Sequence, residues 1–187
     1  LQAYATQKFL DNNQIANETI NIDNNLDLKK GKKKYYLSQI SNFNFLKTKL
    51  GMVNLKIYQK LNKTLRKNIG IRNKAYNNFK KEFNLTAKYP DYKTLSEIVT
   101  AKYSDIVVGS DQLWLPVNVV ADYYTLTWVP ETINKISYAT SFGISKIPQK
   151  YKKQYSSFLA KINHLSTREK DGVDIIKDLK LEARLVC

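Results

Sequence analysis

The sequence predicts an α/β layer fold built on a parallel sheet, and three observations carry that expectation. In the second half of the chain, short apolar runs alternate with amphipathic stretches of helical period, the strand–helix–strand order that parallel sheets require. Three of those runs end in small or polar residues, as strands do where they enter loops at the carboxyl edge of such a sheet. The composition also supports a core: 187 residues, 43% hydrophobic and 12% aromatic, which excludes a disordered tail. No apolar run reaches the ~18 residues that a membrane-spanning helix needs.

Taken in order, residues 1–12 place Leu1, Ala5, Phe9 and Leu10 at helical spacing. The segment starts without a cap, as though cut from something longer. Residues 19–23 alternate and read as a short strand. Residues 24–34, polar with Gly31 and a lysine run, read as a loop. From Phe45 onward, Leu46, Leu50, Val53, Ile57, Leu61 and Leu65 form one face of a long helix, stopped by Asn68-Ile69-Gly70. A second helix follows with Tyr76, Phe79 and Phe83 on one side. Pro90 and Asp91 break the chain, and Leu95, Ile98 and Val99 mark a short helix.

The texture then changes. Residues 105–109 are a compact apolar run, read as a strand buried within a parallel sheet. Residues 135–140 make another strand, closed by Ser141-Phe142-Gly143. Pro148 suits the first turn of a helix carrying Tyr151, Tyr155, Phe158 and Ile162 on one face. Residues 164–167 are a third strand, which Arg168 leaves. Val173, Ile176 and Leu179 give a last amphipathic helix, and residues 184–187 begin a fourth strand. A chain that opens inside a helix and closes inside a strand is expected to be part of a larger protein.

Charge is unevenly placed. The formal net charge is +15, yet residues 29–93 hold 18 basic residues and two acids, Glu82 and Asp91, for a local net of +16. Lysine outnumbers arginine 27 to 4, a bias that AT-rich codons also produce. The segment is either a solvated lysine face on helices or a surface that meets an anion: a phospholipid headgroup, a diphosphate-linked sugar or nucleic acid. Nucleic acid fits least, because Arg66 and Arg72 are the only arginines there and bidentate base readout prefers arginine. The one cysteine, Cys187, permits no internal disulfide and points to a reducing cytoplasm. With His164 as the one histidine, a zinc site of Cys and His ligands within the chain is excluded.

Three strand ends carry chemistry-bearing residues. In Gly109-Ser110-Asp111-Gln112-Leu113-Trp114, glycine permits close backbone approach, and Ser110 or Asp111 can cap a following helix whose amides hold an anion. Ser141-Phe142-Gly143 is a second small turn. In Ser166-Thr167-Arg168-Glu169 the hydroxyls can cap, and Arg168 can grip a carboxylate or phosphate. Each has a plainer reading: caps for Ser110 and Asp111, packing for Trp114, Tyr138 and Phe142, a local ion pair for Arg168 with Glu169, and a structural role for His164. Asp111 as a general base has no second carboxylate placed beside it by sequence.

Together these segments resemble the polysaccharide pyruvyl transferase family. The resemblance rests on Leu1-Gln2-Ala3-Tyr4-Ala5-Thr6-Gln7, the 105–114 run, Ile136-Ser137-Tyr138-Ala139-Thr140-Ser141-Phe142-Gly143, and Leu165-Ser166-Thr167-Arg168-Glu169-Lys170-Asp171-Gly172, in order and spread over nearly the whole chain. Residues 24–93 carry no matching motif.

The resemblance implies a GT-B-type enzyme of two Rossmann-like lobes. It moves the enolpyruvyl carbons of phosphoenolpyruvate onto two sugar hydroxyls as a cyclic ketal, in cell-surface or exopolysaccharide biosynthesis. Residues 1–187 would be the N-terminal lobe, with a lysine-rich helical insertion at about 29–93. The resemblance implies no metal and no cofactor beyond phosphoenolpyruvate as donor. It places Gly109, Ser110, Asp111, Gln112, Trp114, Tyr138, Ser141, Phe142, Gly143, Arg168 and Glu169 along the substrate cleft, with Arg168 toward an anionic substrate. The acid–base histidine belongs to the second lobe, and His164 does not fall on its motif, so the chain alone is expected to be inactive. The implied partners are a sugar or lipid-linked saccharide acceptor and the second lobe; the charge of the lysine-rich segment adds an anionic membrane face on which residues 29–93 would rest. That is a cytoplasmic location, peripheral to the inner face of the membrane. Two other readings stay open: a GT-B glycosyltransferase using a nucleotide sugar, and a non-catalytic anion- or polysaccharide-binding module that holds anionic polysaccharide or nucleic acid.

Overall fold

The computed structural model describes residues 2–186. Leu1 and Cys187, assigned above to the first helix and the last strand, lie outside the described residues. Helix α1 (Gln2–Asn12) is anchored to strand β1 (Thr19–Asn21) and its neighbourhood by one buried side chain, Gln7. Its Nε2 donates to the Asn84 carbonyl at 3.0 Å, and its Oε1 accepts the Asn84 N–H at 3.1 Å. A side-chain amide thus satisfies both peptide groups of Asn84, as a neighbouring strand would. Tyr4 meets Phe79 and Phe83 edge-on, at 5.0 and 5.5 Å.

Residues 24–34 are not a loop; most of them belong to helix α2 (Leu26–Leu37). Asn25 starts it, its Oδ1 accepting the Leu28 N–H at 3.0 Å. Gly31 marks a close approach of two backbones rather than a turn: a Cβ there would lie 2.5 Å from Ala121 Cα. The long helix expected from Phe45 is divided at Asn62. Helix α3 (Phe43–Leu61) ends there and α4 (Lys63–Phe79) begins, because Asn62 is extended and its side chain accepts the Leu65 N–H at 3.0 Å. The stop expected at Asn68-Ile69-Gly70 does not occur; Gly70 lies inside α4 with open space around it. Strand β2 (Leu85–Lys88), unforeseen, pairs in parallel with β1. It is too short for alternation to show.

The remaining elements follow the expected order. Asp91 caps α5 (Tyr92–Lys102), its Oδ1 accepting the Thr94 N–H at 2.8 Å. Then come β3 (Asp105–Gly109), the short α6 (Pro116–Val120), β4 (Asn134–Tyr138), α7 (Lys152–Leu159), β5 (Ser166–Thr167), α8 (Lys170–Asp178) and β6 (Arg184–Leu185). Pro148 precedes a single 3-10 turn before α7. The strands form three parallel pairs, β1–β2, β3–β4 and β5–β6. Bridges at Ile136–His164 and Thr140–Thr167 join the second pair to the third. This is a mixed α/β fold of small parallel sheets.

Strand β3 is not buried on both faces. Ile106 and Val108 pack with Leu95 and Val99 of α5, whereas Val107 is 45% exposed and Tyr138, on the same face of β4, is 50% exposed. Residues 121–133, which have no regular structure, supply much of this core through Tyr123, Leu126, Trp128, Val129 and Ile133. The Trp128 indole stacks on Tyr123 at 5.7 Å and donates to its carbonyl at 2.8 Å. A second core gathers Trp114, Phe142, Tyr155, Phe158, Ile175 and Ile176.

Just before β1, the Glu18 carboxylate accepts from Lys102 and Tyr103 at the end of α5. The Lys102 ammonium, then the Tyr103 hydroxyl, hold it below the usual carboxylate range. A depressed carboxyl contributes stability above its unfolded value and loses it as pH falls through the folded value. Glu18→Gln is therefore expected to flatten the acid limb of stability against pH below about 4.5, read by urea unfolding at stepped pH. A second prediction separates two helical glycines. Gly70→Ala is expected to stabilise by about 0.5–1 kcal/mol through helix propensity. Gly31→Ala is expected to destabilise by about 1–3 kcal/mol, because its methyl collides with Ala121 backbone. Equal signs in chemical denaturation would refute the packing role of Gly31.

Candidate functional site

The site is built where the strands run out. After β3, Asp111 turns the chain on itself, its Oδ1 accepting the Gln112 N–H at 2.8 Å and its carbonyl the Leu113 N–H at 2.7 Å. Neither Ser110 nor Asp111 caps a helix, contrary to the expectation. The next helix, α6, starts later, at Pro116, with no side-chain cap. Gly109 does provide close approach: a Cβ there would fall 1.9 Å from the Tyr138 carbonyl oxygen.

This first turn is bonded to the second. The Ser141 N–H donates to the Asp111 carbonyl at 2.9 Å, and the Trp114 N–H donates to the Ser141 carbonyl at 3.2 Å. Gly143 has φ +62°, and its missing side chain leaves room for Gln112 and Leu115, which would lie 3.1 and 3.0 Å from a Cβ. Beneath both turns sits an aromatic floor. Trp114 meets Phe142 at 5.1 Å and Phe158 at 5.7 Å, and Phe142 stacks on Tyr155 at 5.9 Å. Burial pushes the Tyr155 phenol well up, so it stays protonated and donates to the Trp114 carbonyl at 2.5 Å.

The third turn joins through buried hydroxyls. Thr167 Oγ1 donates to the Thr140 carbonyl at 2.9 Å, and Thr140 Oγ1 donates to the Ser166 carbonyl at 2.9 Å. Ser166 Oγ donates to the Ser137 carbonyl at 2.6 Å and accepts the Ala139 N–H at 3.1 Å. Ser137 Oγ in turn accepts the Ser166 N–H at 2.9 Å. Gly172 lets α8 close on this strand, since a Cβ would lie 2.2 Å from Thr167 Oγ1.

The result is one groove of about 270 Å3, lined by Gln112, residues 141–145, Glu169, Asp171 and Gly172. All three turns contribute to it. The family model for polysaccharide pyruvyl transferase matches residues 1–187, the whole chain. The chain belongs to the polysaccharide pyruvyl transferase family. No curated protein and no solved structure matches it.

Among the site residues expected from the sequence of this family member, Gln112, Ser141, Phe142, Gly143 and Glu169 line the groove. Gly109, Ser110 and Asp111 build the turn behind it. Trp114 is fully buried and serves the aromatic floor, so it offers no stacking surface to a ligand. Tyr138 is exposed on the sheet face and is not part of the lining. Arg168 stands beside the groove, its Nε donating to Glu169 Oε1 at 2.9 Å; the local ion pair is the contact it makes. The His164 backbone carries the bridge to β4, accepting the Ser137 N–H at 2.8 Å. Asp171 and Gly172 went unnamed as site residues, although the Arg-Glu-Lys-Asp-Gly run contains them; Ile144 and Ser145 carry no sequence signal. Among the described residues, no three His, Cys, Asp or Glu side chains converge as a metal site would require.

The groove lining is acidic and hydroxylic: two carboxylates, two serines and an amide, with no basic side chain. Its shape depends on the hydroxyl bonds beneath. Ser166→Ala is expected to cost about 1–3 kcal/mol by leaving the Ala139 N–H without its acceptor. Ser145→Ala, on the exposed rim, is expected to stay within about 0.5 kcal/mol. Urea denaturation of both variants checks the contrast.

Proposed function

We propose that this chain is the acceptor-side lobe of a two-lobed, GT-B-type pyruvyl transferase, with phosphoenolpyruvate as donor and a saccharide as acceptor. Membership of the family implies a transferase. The observation that supports the acceptor assignment is the groove lining. Sugar hydroxyls donate to carboxylates such as Glu169 and Asp171 and accept from an amide such as Gln112. Phosphoenolpyruvate has the opposite needs. It carries a phosphate and a carboxylate, and the two groove carboxylates repel it.

Ketal formation joins C2 of phosphoenolpyruvate to two sugar oxygens and breaks its bond to phosphate. The two hydroxyl protons must leave: one balances the proton gained by the methylene carbon as it becomes methyl, the other the proton carried off by phosphate. A carboxylate in the acceptor groove is the kind of group that receives such a proton. The cations that hold the donor, and the acid that protonates its methylene, come from the second lobe in this reading. Arg168 can join them by turning away from Glu169, since the ion pair occupies only its Nε.

The test uses the 187-residue chain with methyl glycosides of glucose, galactose and mannose. Amide shifts are expected at Gln112, residues 141–145 and residues 169–172. Glu169→Gln with Asp171→Asn is expected to weaken binding at least tenfold, the loss of charge-assisted hydrogen bonds. No phosphate release from phosphoenolpyruvate is expected from this chain alone. Shifts and thermal stabilisation by a nucleoside diphosphate, with none by the glycosides, would replace this reading with nucleotide-sugar transfer.

A further inference from the structure

We infer that α2 and α3 form a docking surface for an anionic lipid bilayer. Helix α3 buries none of its nineteen residues. Phe43, Leu46, Leu50, Val53, Ile57 and Leu61 recur at steps of three and four and are 41–77% exposed. That spacing collects them into one stripe along the helix. At about 100° per residue, Lys49, Lys56 and Lys60 fall along one border of the stripe and Lys47 along the other. The helix contains no acidic residue.

Helix α2 extends the same chemistry. Tyr36 and Leu37, with Ile40 just beyond the helix, line a groove of about 480 Å3, and Lys29, Lys32 and Lys33 complete its wall. The two helices are tied together, with Lys49 Nζ 4.3 Å from the Tyr36 ring centre and the Tyr36 and Phe45 rings 6.0 Å apart. Across residues 26–79 there are 14 basic residues and one acid, Asp27, a local net charge of +13.

Charge and apolarity together select the occupant. A bilayer takes the apolar stripe into its headgroup boundary, while lysine stems lie along it and their ammonium groups reach anionic headgroups. A second copy of the chain would set two cationic helix pairs against each other, each of net charge +8 across residues 26–61. Nucleic acid would satisfy the lysines and leave the apolar stripe in water. No helix among the described residues is long and apolar enough to cross a membrane, so the helix lies on the surface. This inference uses no residue of the saccharide groove, and either can fail without the other.

Flotation of the 187-residue chain with vesicles decides it. Binding is expected to vesicles of phosphatidylcholine with phosphatidylglycerol, and not to phosphatidylcholine alone. Lys49, Lys56 and Lys60→Gln together are expected to weaken binding by about a hundredfold, near fivefold per lysine. Leu50→Asp with Ile57→Asp, both at exposed positions, is expected to weaken it more than tenfold while circular dichroism stays unchanged. The inference is overturned by equal binding to both vesicle types, by no binding, by apolar variants that bind as well as the parent chain, or by a dimer that Leu50→Asp dissolves without any vesicle binding.

Discussion

Between β4 and β5 the peptide ladder is interrupted, and Ser137, Thr140, Ser166 and Thr167 carry the bonds it lacks. All four are buried. Each bond is worth only about 1 kcal/mol net, but an unmet polar group in the same place would cost up to about 3 kcal/mol. The lattice is therefore stable as a set and intolerant of partial loss. It also fixes geometry. Through Thr140 it places the Ser141-Phe142-Gly143 turn, and through Ser141 that turn places Asp111 and Trp114. The groove is the downstream consequence of this bonded seam.

Two kinds of surface result, and they are kept apart in sequence. The groove gathers carboxylates and hydroxyls on the sheet half of the chain. The cationic, apolar face lies on helices that bury almost nothing. A basic groove would favour any phosphate in solution, whereas an acidic one disfavours it.

The sheet half was legible because its signals are local. Compact apolar runs mark β3 and β4, and the helical faces of α7 and α8 show directly in Tyr155, Phe158 and Ile176. The lysine-rich half misled for physical reasons. Asn25 and Asn62 set helix boundaries by single side-chain bonds, which no periodicity records. Gly31 and Gly70 are the same residue in two helices, one pressed on another backbone and one in the open. Of the site, the three turns could be read from small residues at strand ends. Which of their side chains face the groove could not, because Trp114 and Gln112 diverge within one turn. The aromatic segment 121–133 holds half of one core without any repeat to announce it.

Ala139 holds φ +50°, a conformation costly for any residue with a side chain. It follows Tyr138, and three buried residues come after it in succession, Thr140, Ser141 and Phe142. Strand alternation has slipped there by one position. Length is thereby fixed more strictly than side-chain identity. One residue added or removed between Lys135 and Gly143 would send the hydroxyls outward and the aromatic floor into water. The stretch from Ser38 to Asn78, by contrast, buries little beyond Gln39 and can change length without disturbing the seam. Divergence among related chains should accordingly accumulate as insertions in the helical segment and as substitutions alone around Ala139.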